Sequence, residues 1–138
     1  IPGIWPVGCI ASIIAGGNTC VVLASASKPL CAVTFAEVLG TSDVPGGTIN
    51  ILTGKPGELL SWFSDHMDVN AIVFCENDKE AILKIQQKAT LNLKRVLLWN
   101  NYNWLLETAQ NPYLINDAQE IKTTWHPIEN IGGAKAGY

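Results

Sequence analysis

Pro45-Gly46-Gly47-Thr48-Ile49-Asn50-Ile51-Leu52-Thr53-Gly54, followed a helix-length later by Ala71-Ile72-Val73-Phe74, decides how this chain is read. Pro45-Gly46-Gly47 is a tight turn, Thr48–Leu52 a short buried strand, and Thr53-Gly54 ends it ahead of an amphipathic helix reaching His66. Ala71–Phe74 is a second strand without polar alternation. Short apolar strands separated by a helix belong to a parallel sheet covered on both faces. In an α/β domain that holds a nucleotide, the next residues form a glycine or serine turn opening onto a helix N-terminus, whose backbone N–H groups take phosphate. Here that turn is Cys75-Glu76-Asn77-Asp78. Carboxylates at Glu76 and Asp78 repel an anion, so the scaffold is kept and the site's chemistry is not.

The same alternation extends to both sides. Ile1–Trp5 reads as a strand, Cys9–Ala15 as a buried helix with Gly16-Gly17 at its left-handed end, and valine-rich Thr19–Leu23 as a strand. Ser27 is placed to cap a helix from Pro29 to about Leu39, and its apolar residues on most sides predict burial on more than one face. Asn77 and Glu80 have capping-box spacing at the start of a helix over Asp78–Ala89, and Arg95–Trp99 is the next strand. The expected fold is α/β, a parallel, doubly wound, Rossmann-like sheet of about five strands. Beyond Asn100 the alternation stops. Asn103–Gln110 reads as a short helix ended by Asn111-Pro112, and Ile121–Trp125 alternates like an exposed flap strand outside the sheet.

Composition bounds the function. A chain of 138 residues that is 48% hydrophobic buries one sizeable core. Its net charge of −3, with no basic cluster larger than Lys94-Arg95, excludes nucleic acid or an anionic membrane as the main partner. The apolar run Ile10–Ile14 is flanked and interrupted by Gly8, Ser12, Gly16 and Gly17, too short to span a bilayer, and no basic-headed signal peptide is visible. Cys9, Cys20, Cys31 and Cys75 lack a C-x-x-C pair and neighbouring histidines, which favours reduced core thiols over disulfides or a metal site and points to the cytoplasm. The opening Ile1-Pro2-Gly3-Ile4-Trp5 reads like the interior of a fold, so the chain is expected to be part of a longer polypeptide.

The words Gly17-Asn18-Thr19-Cys20-Val21-Val22-Leu23, Pro29-Leu30, Val44 to Gly54, His66-Met67-Asp68-Val69-Asn70-Ala71-Ile72-Val73-Phe74 and Leu93-Lys94-Arg95-Val96 come in an order and at spacings that resemble the cofactor-binding domain of aldehyde dehydrogenases. The resemblance covers residues 1–101 and leaves 102–138 as a C-terminal extension with a short helix and the flap strand. It implies NAD or NADP as cofactor, and the departures bear on that implication. The family's ribose-binding lysine and glutamate fall on Leu23 and Ala26, which cannot hydrogen-bond a hydroxyl. Its phosphate-turn glycine and serine fall on Glu76 and Asn77, and a later glycine on Ala81. Its general-base glutamate falls on Trp99, whose indole cannot accept a proton. Its nucleophilic cysteine should lie beyond that strand, where no cysteine follows Cys75, and its oxyanion-holding asparagine would fall near Ile4.

Losses at ribose, phosphate, base and nucleophile resemble the non-catalytic carboxy-terminal domain of aldehyde dehydrogenase family 16. Ile121-Lys122-Thr123-Thr124-Trp125-His126-Pro127-Ile128 is similar to the ending of such domains. The resemblance implies no catalytic residue, no bound cofactor and no metal in this chain. The implied partners are an aldehyde dehydrogenase catalytic domain, further copies of the chain, or both. Interface candidates are Trp104, Tyr113, Ile121, Thr123 and Trp125. The alternatives are an atypical NAD(P)-dependent dehydrogenase fragment that still binds a nucleotide, and an unrelated small-molecule binding domain.

Plainer roles compete at each position. His66 ends a helix, His126 precedes a proline in a loop, and Asn18 suits a turn or cap. Glu76 and Asp78 suit a helix start through its dipole. Trp99 fits either an emptied cofactor space or the core, while Trp5 and Trp62 are core or interface candidates.

Overall fold

The computed structural model of the chain describes residues 5–125. The expected first strand, Ile1–Trp5, lies outside them except for Trp5, which opens helix α1 (Trp5–Ala15). Gly17 ends α1 at φ +81°, a conformation costly for any residue with a Cβ, and its N–H returns to the Ile14 carbonyl at 2.9 Å. Asn18 then acts as a cap, its side-chain amide donating to the carbonyls of Ile13 and Ala118 at 3.2 and 3.3 Å.

β1 (Cys20–Leu23) leads to α2 (Leu30–Gly40) and β2 (Ile49–Leu52), which pairs with β1 in parallel, Cys20 opposite Ile49 and Leu23 opposite Leu52. α3 (Pro56–Asp65) has Pro56 in its first turn, where the missing N–H costs nothing. β3 (Ala71–Phe74), α4 (Lys79–Ala89) and β4 (Arg95–Leu98) form a second parallel pair, Ala71 opposite Arg95 and Phe74 opposite Leu98. A 3₁₀ turn at Glu107–Ala109 and the short helix α5 (Tyr113–Asp117) follow. The chain is thus α/β with parallel pairing. Among the described residues the strands make two two-stranded sheets, β1-β2 and β3-β4, where the sequence predicts a sheet of about five.

Several local expectations are corrected. Ser27 does not cap α2; its hydroxyl meets that of Ser25 at 3.3 Å, and Pro29 occupies the cap position without a side-chain bond. No residue of α2 is buried, and Leu30 is 77% exposed, although the helix is apolar on most sides. Its principal neighbour is β2, and one strand cannot cover two faces of a helix. The cap of α4 is Asp78 rather than Asn77. Pro112 starts α5 instead of stopping a helix before it, which fits proline's preset φ at a first turn. Ile121–Trp125 is exposed and forms no strand, because alternation supplies a face but no ladder partner.

The core gathers Cys9 of α1, Trp99 and Leu114 of α5, flanked by Val73, Cys75, Leu97, Tyr102 and Trp104. Gly8 makes room for Trp104, since a Cβ there would come within 3.3 Å of its ring. A second buried group under α4 holds Ile85 and Ala89. Residues beyond 101 share this interior: Ala109, Leu114 and Ala118 are buried, and the Arg95 guanidinium donates to the closing carbonyls of α5, the shortest contact being 2.6 Å to Gln119.

Candidate functional site

The two strand pairs stand apart around a cavity of about 430 Å³. Every residue of β1 and of β3 lines it, together with Cys9 of α1 and, at the carboxyl ends of those strands, Ser25, Ala26, Cys75 and Glu76. The hydrogen-bond parity shows which backbone groups face it. Cys20 and Ala24 donate to Thr48 and Leu52 on the β2 side, so the N–H and C=O groups of Val21 and Leu23 point away from β2. Asn70 and Phe74 accept from Arg95 and Trp99 on the β4 side, so those of Ala71 and Val73 point away from β4. Among the described residues no backbone hydrogen bond joins β1 to β3.

The resemblance assigns its degenerate positions to this region, and the structure brings most of them together. Leu23, Ala26 and Glu76 share the cavity wall. The start of α4 lies just beyond. The Asp78 carboxylate accepts from the backbone N–H groups of Glu80 and Ala81 at 3.0 and 3.1 Å, which are the groups a phosphate would need. Asn77 turns aside and donates its amide to the Asn100 carbonyl at 3.3 Å.

Trp99 is 3% exposed and belongs to the core cluster, with its ring 6.2 Å from that of Trp104; Tyr102 and Trp104 are 5.4 Å apart. The same packing removes Trp104 from the exposed interface candidates. Tyr113, Ile121, Thr123 and Trp125 are exposed, Trp125 at 85%, as is Trp62. His66 is the C-cap residue of α3, its N–H donating to the Trp62 carbonyl at 3.0 Å. His126 and the end of the family-16-like tail lie outside the described residues.

Two features had no signal in residue spacing. Lys94, half of the one basic pair, is only 7% exposed and donates to the carbonyls of Phe63, Ser64 and His66 at 3.1, 3.0 and 2.7 Å, capping the C-terminal end of α3. Burial lowers its pKa, and Asp65 opposes that shift. The sulfurs of Cys9 and Cys75, far apart in sequence, lie 3.6 Å apart. Cys31 is exposed, contrary to the expectation of a core thiol. Among the described residues no cluster of three metal-ligating side chains forms, and no helix is long and apolar enough to cross a membrane.

Comparison with known proteins places these features. The profile of the aldehyde dehydrogenase family matches residues 1–101. The chain belongs to the aldehyde dehydrogenase family. It is 32% identical over 88 residues to a 3-sulfolactaldehyde dehydrogenase of Priestia aryabhattai, covering 64% of this chain and 18% of that enzyme. Against a mitochondrial aldehyde dehydrogenase of Leishmania tarentolae it is 31% identical over 115 residues, 83% of this chain and 23% of that one. The crystal structure of an aldehyde dehydrogenase from Bartonella henselae superposes with a TM-score of 0.61 at 32% identity, over 64% of this chain and 18% of that one. The chain thus spans about a fifth of the length of each of these relatives.

Proposed function

We propose that this chain is a non-catalytic aldehyde dehydrogenase domain of the family 16 type, with a structural role in assembling a longer, cytoplasmic aldehyde dehydrogenase. The observation that carries the reading is the start of α4, where Asp78 already takes the N–H groups that would hold phosphate and Glu76 stands beside it. Trp99 at the general-base position supports the same reading, because it is built into the core. The assembly role is supported by the cavity. Val21 and Leu23 on one wall, and Ala71 and Val73 on the other, aim backbone donors and acceptors into it. Backbone groups without strand partners among the described residues are edges to which further polypeptide can add. Exposed Tyr113, Ile121, Thr123 and Trp125 then supply a surface for the catalytic domain or a second copy.

The test is binding and turnover. Equilibrium dialysis should find NAD and NADP bound more weakly than about 1 mM, a free energy smaller in magnitude than about 4 kcal/mol. No aldehyde should be oxidised above a protein-free blank. A low micromolar dissociation constant would overturn the reading and favour the nucleotide-binding alternative, for which the cavity at the strands' carboxyl ends is the supporting observation.

A further inference from the structure

We propose that Cys9 and Cys75 form a reversible dithiol–disulfide pair, oxidised by a small-molecule disulfide of the glutathione class. Their sulfurs are already in contact, 3.6 Å apart against about 2.0 Å in a disulfide. Among the described residues no other pair of cysteine sulfurs is within hydrogen-bond reach. The two thiols are also unequally exposed. Cys75 is half-buried and lines the cavity, where a small oxidant can reach it. Cys9 touches the same cavity but keeps only 6% of its surface exposed, packed with Trp99 and Leu114.

That arrangement separates the attacking from the resolving thiol. The bond from Cys9 to the Cys75 sulfur draws the Cys75 pKa below the ordinary thiol range, against the opposing effects of burial and Glu76. The same bond, with burial, raises that of Cys9 and keeps its proton in place. The Cys75 thiolate attacks one sulfur of oxidised glutathione and expels a glutathione thiolate, leaving a mixed disulfide. The Cys9 sulfur, giving up its proton, then attacks the Cys75 sulfur and expels the second glutathione thiolate. The protein loses two electrons and two protons, and one oxidised glutathione becomes two reduced molecules. The product ties α1 to the end of β3 beside the cavity, whatever occupies that cavity.

The experiment is thiol counting and peptide mapping of the whole chain after exposure to excess oxidised glutathione. Cys9 and Cys75 should disappear from the free thiols, with exposed Cys31 carrying at most a glutathione adduct; a single peptide linking Cys9 to Cys75 should appear two hydrogens lighter than its parts, and dithiothreitol should reverse these changes. Cys9→Ser, lacking the resolving thiol, should retain a glutathione adduct on Cys75. Cys31→Ser, on the exposed α2, should leave the linked peptide unchanged. Four thiols still titrating, or a linkage through Cys20 or Cys31, would overturn the proposal in the wild-type chain without reference to any variant. Absence of the adduct in folded Cys9→Ser would overturn the order of attack.

Discussion

The two halves of the molecule use the same parallel βαβ plan and are secured very differently. In the β3-β4 half, α4 is capped by Asp78, buries Ile85 and Ala89, and packs beside α3, whose C-terminal carbonyls are held by Lys94. In the β1-β2 half, α2 has no side-chain cap and no buried residue. The difference shows that a helix–strand pattern forms wherever local preference allows, whereas a helix is secured where a second element covers it, as α3 does α4; α1 covers β1 and buries Ile10, but α2 gains no such cover among the described residues. The exposed side of α2 and the open edge of β1 are the parts with most to gain from further polypeptide.

The largest test of this contrast is in the two helices' apolar side chains. Ile85, with no exposed surface, should cost about 2 to 5 kcal/mol when changed to alanine, because a cavity is left that its surroundings only partly fill. Leu30→Ala should cost less than about 0.5 kcal/mol, since that side chain is mostly in water already. Urea denaturation of both variants measures the ratio. Equal losses would mean that α2 is buried in solution and that the halves are alike.

Lys94 comes next. Replacing it with methionine keeps much of the stem and removes the ammonium from the end of α3, taking that donor from the Phe63 and Ser64 carbonyls while His66 keeps the Val69 N–H. A loss of about 1 to 3 kcal/mol is expected, with amide exchange accelerated first in α3 and at the start of β3. If exchange accelerates in β1 and β2 as well, the two halves unfold as one unit and the contrast fails at the level of cooperativity.

These positions also divide what was legible in the sequence from what was not. Ala71–Phe74 could be read to the residue because four consecutive apolar side chains, preceded by Asn70 and followed by Cys75-Glu76, suit a strand of a covered sheet. The family was legible because glycine and proline turns kept its spacings, as at Pro45-Gly46-Gly47, where Gly47 adopts φ +85°. Adjacent Asn77 and Asp78 are both good caps, and a shift of one residue between them is settled by the path of the backbone into α4. The exposure of α2 was hidden because an apolar period says that a face wants cover, without saying whether this chain supplies it. Lys94 was hidden for the opposite reason: charge suggests water, and only the fold delivers three carbonyls to an ammonium. The Cys9–Cys75 contact joins residues whose separation carries no periodic signal at all. Glu76 and Trp99 were legible as residue types, but the bonds that the Glu80 and Ala81 N–H groups donate to Asp78 needed coordinates.

The smallest effect concerns the clasp between α3 and α4. The Lys88 ammonium meets the Asp65 carboxylate at 2.5 Å and the Ser61 hydroxyl at 2.6 Å, on the solvent side of the better-secured half. The hydrogen bond from Lys88 lowers the pKa of Asp65 below the usual carboxylate range, with Ser61 and Lys94 acting in the same direction. A carboxylate whose pKa is lower folded than unfolded binds fewer protons in the native state, so it stabilises the fold above the unfolded pKa and loses that contribution as pH falls through the folded one. Asp65→Asn should therefore unfold slightly earlier than wild type at neutral pH, and the two should converge in acid below the ordinary aspartate range. Concentrated salt should also bring them together, because the pair is open to water. Convergence in acid without convergence in salt would place the pair in a shielded setting, making the α3–α4 junction part of the interior and sharpening the difference from the β1-β2 half.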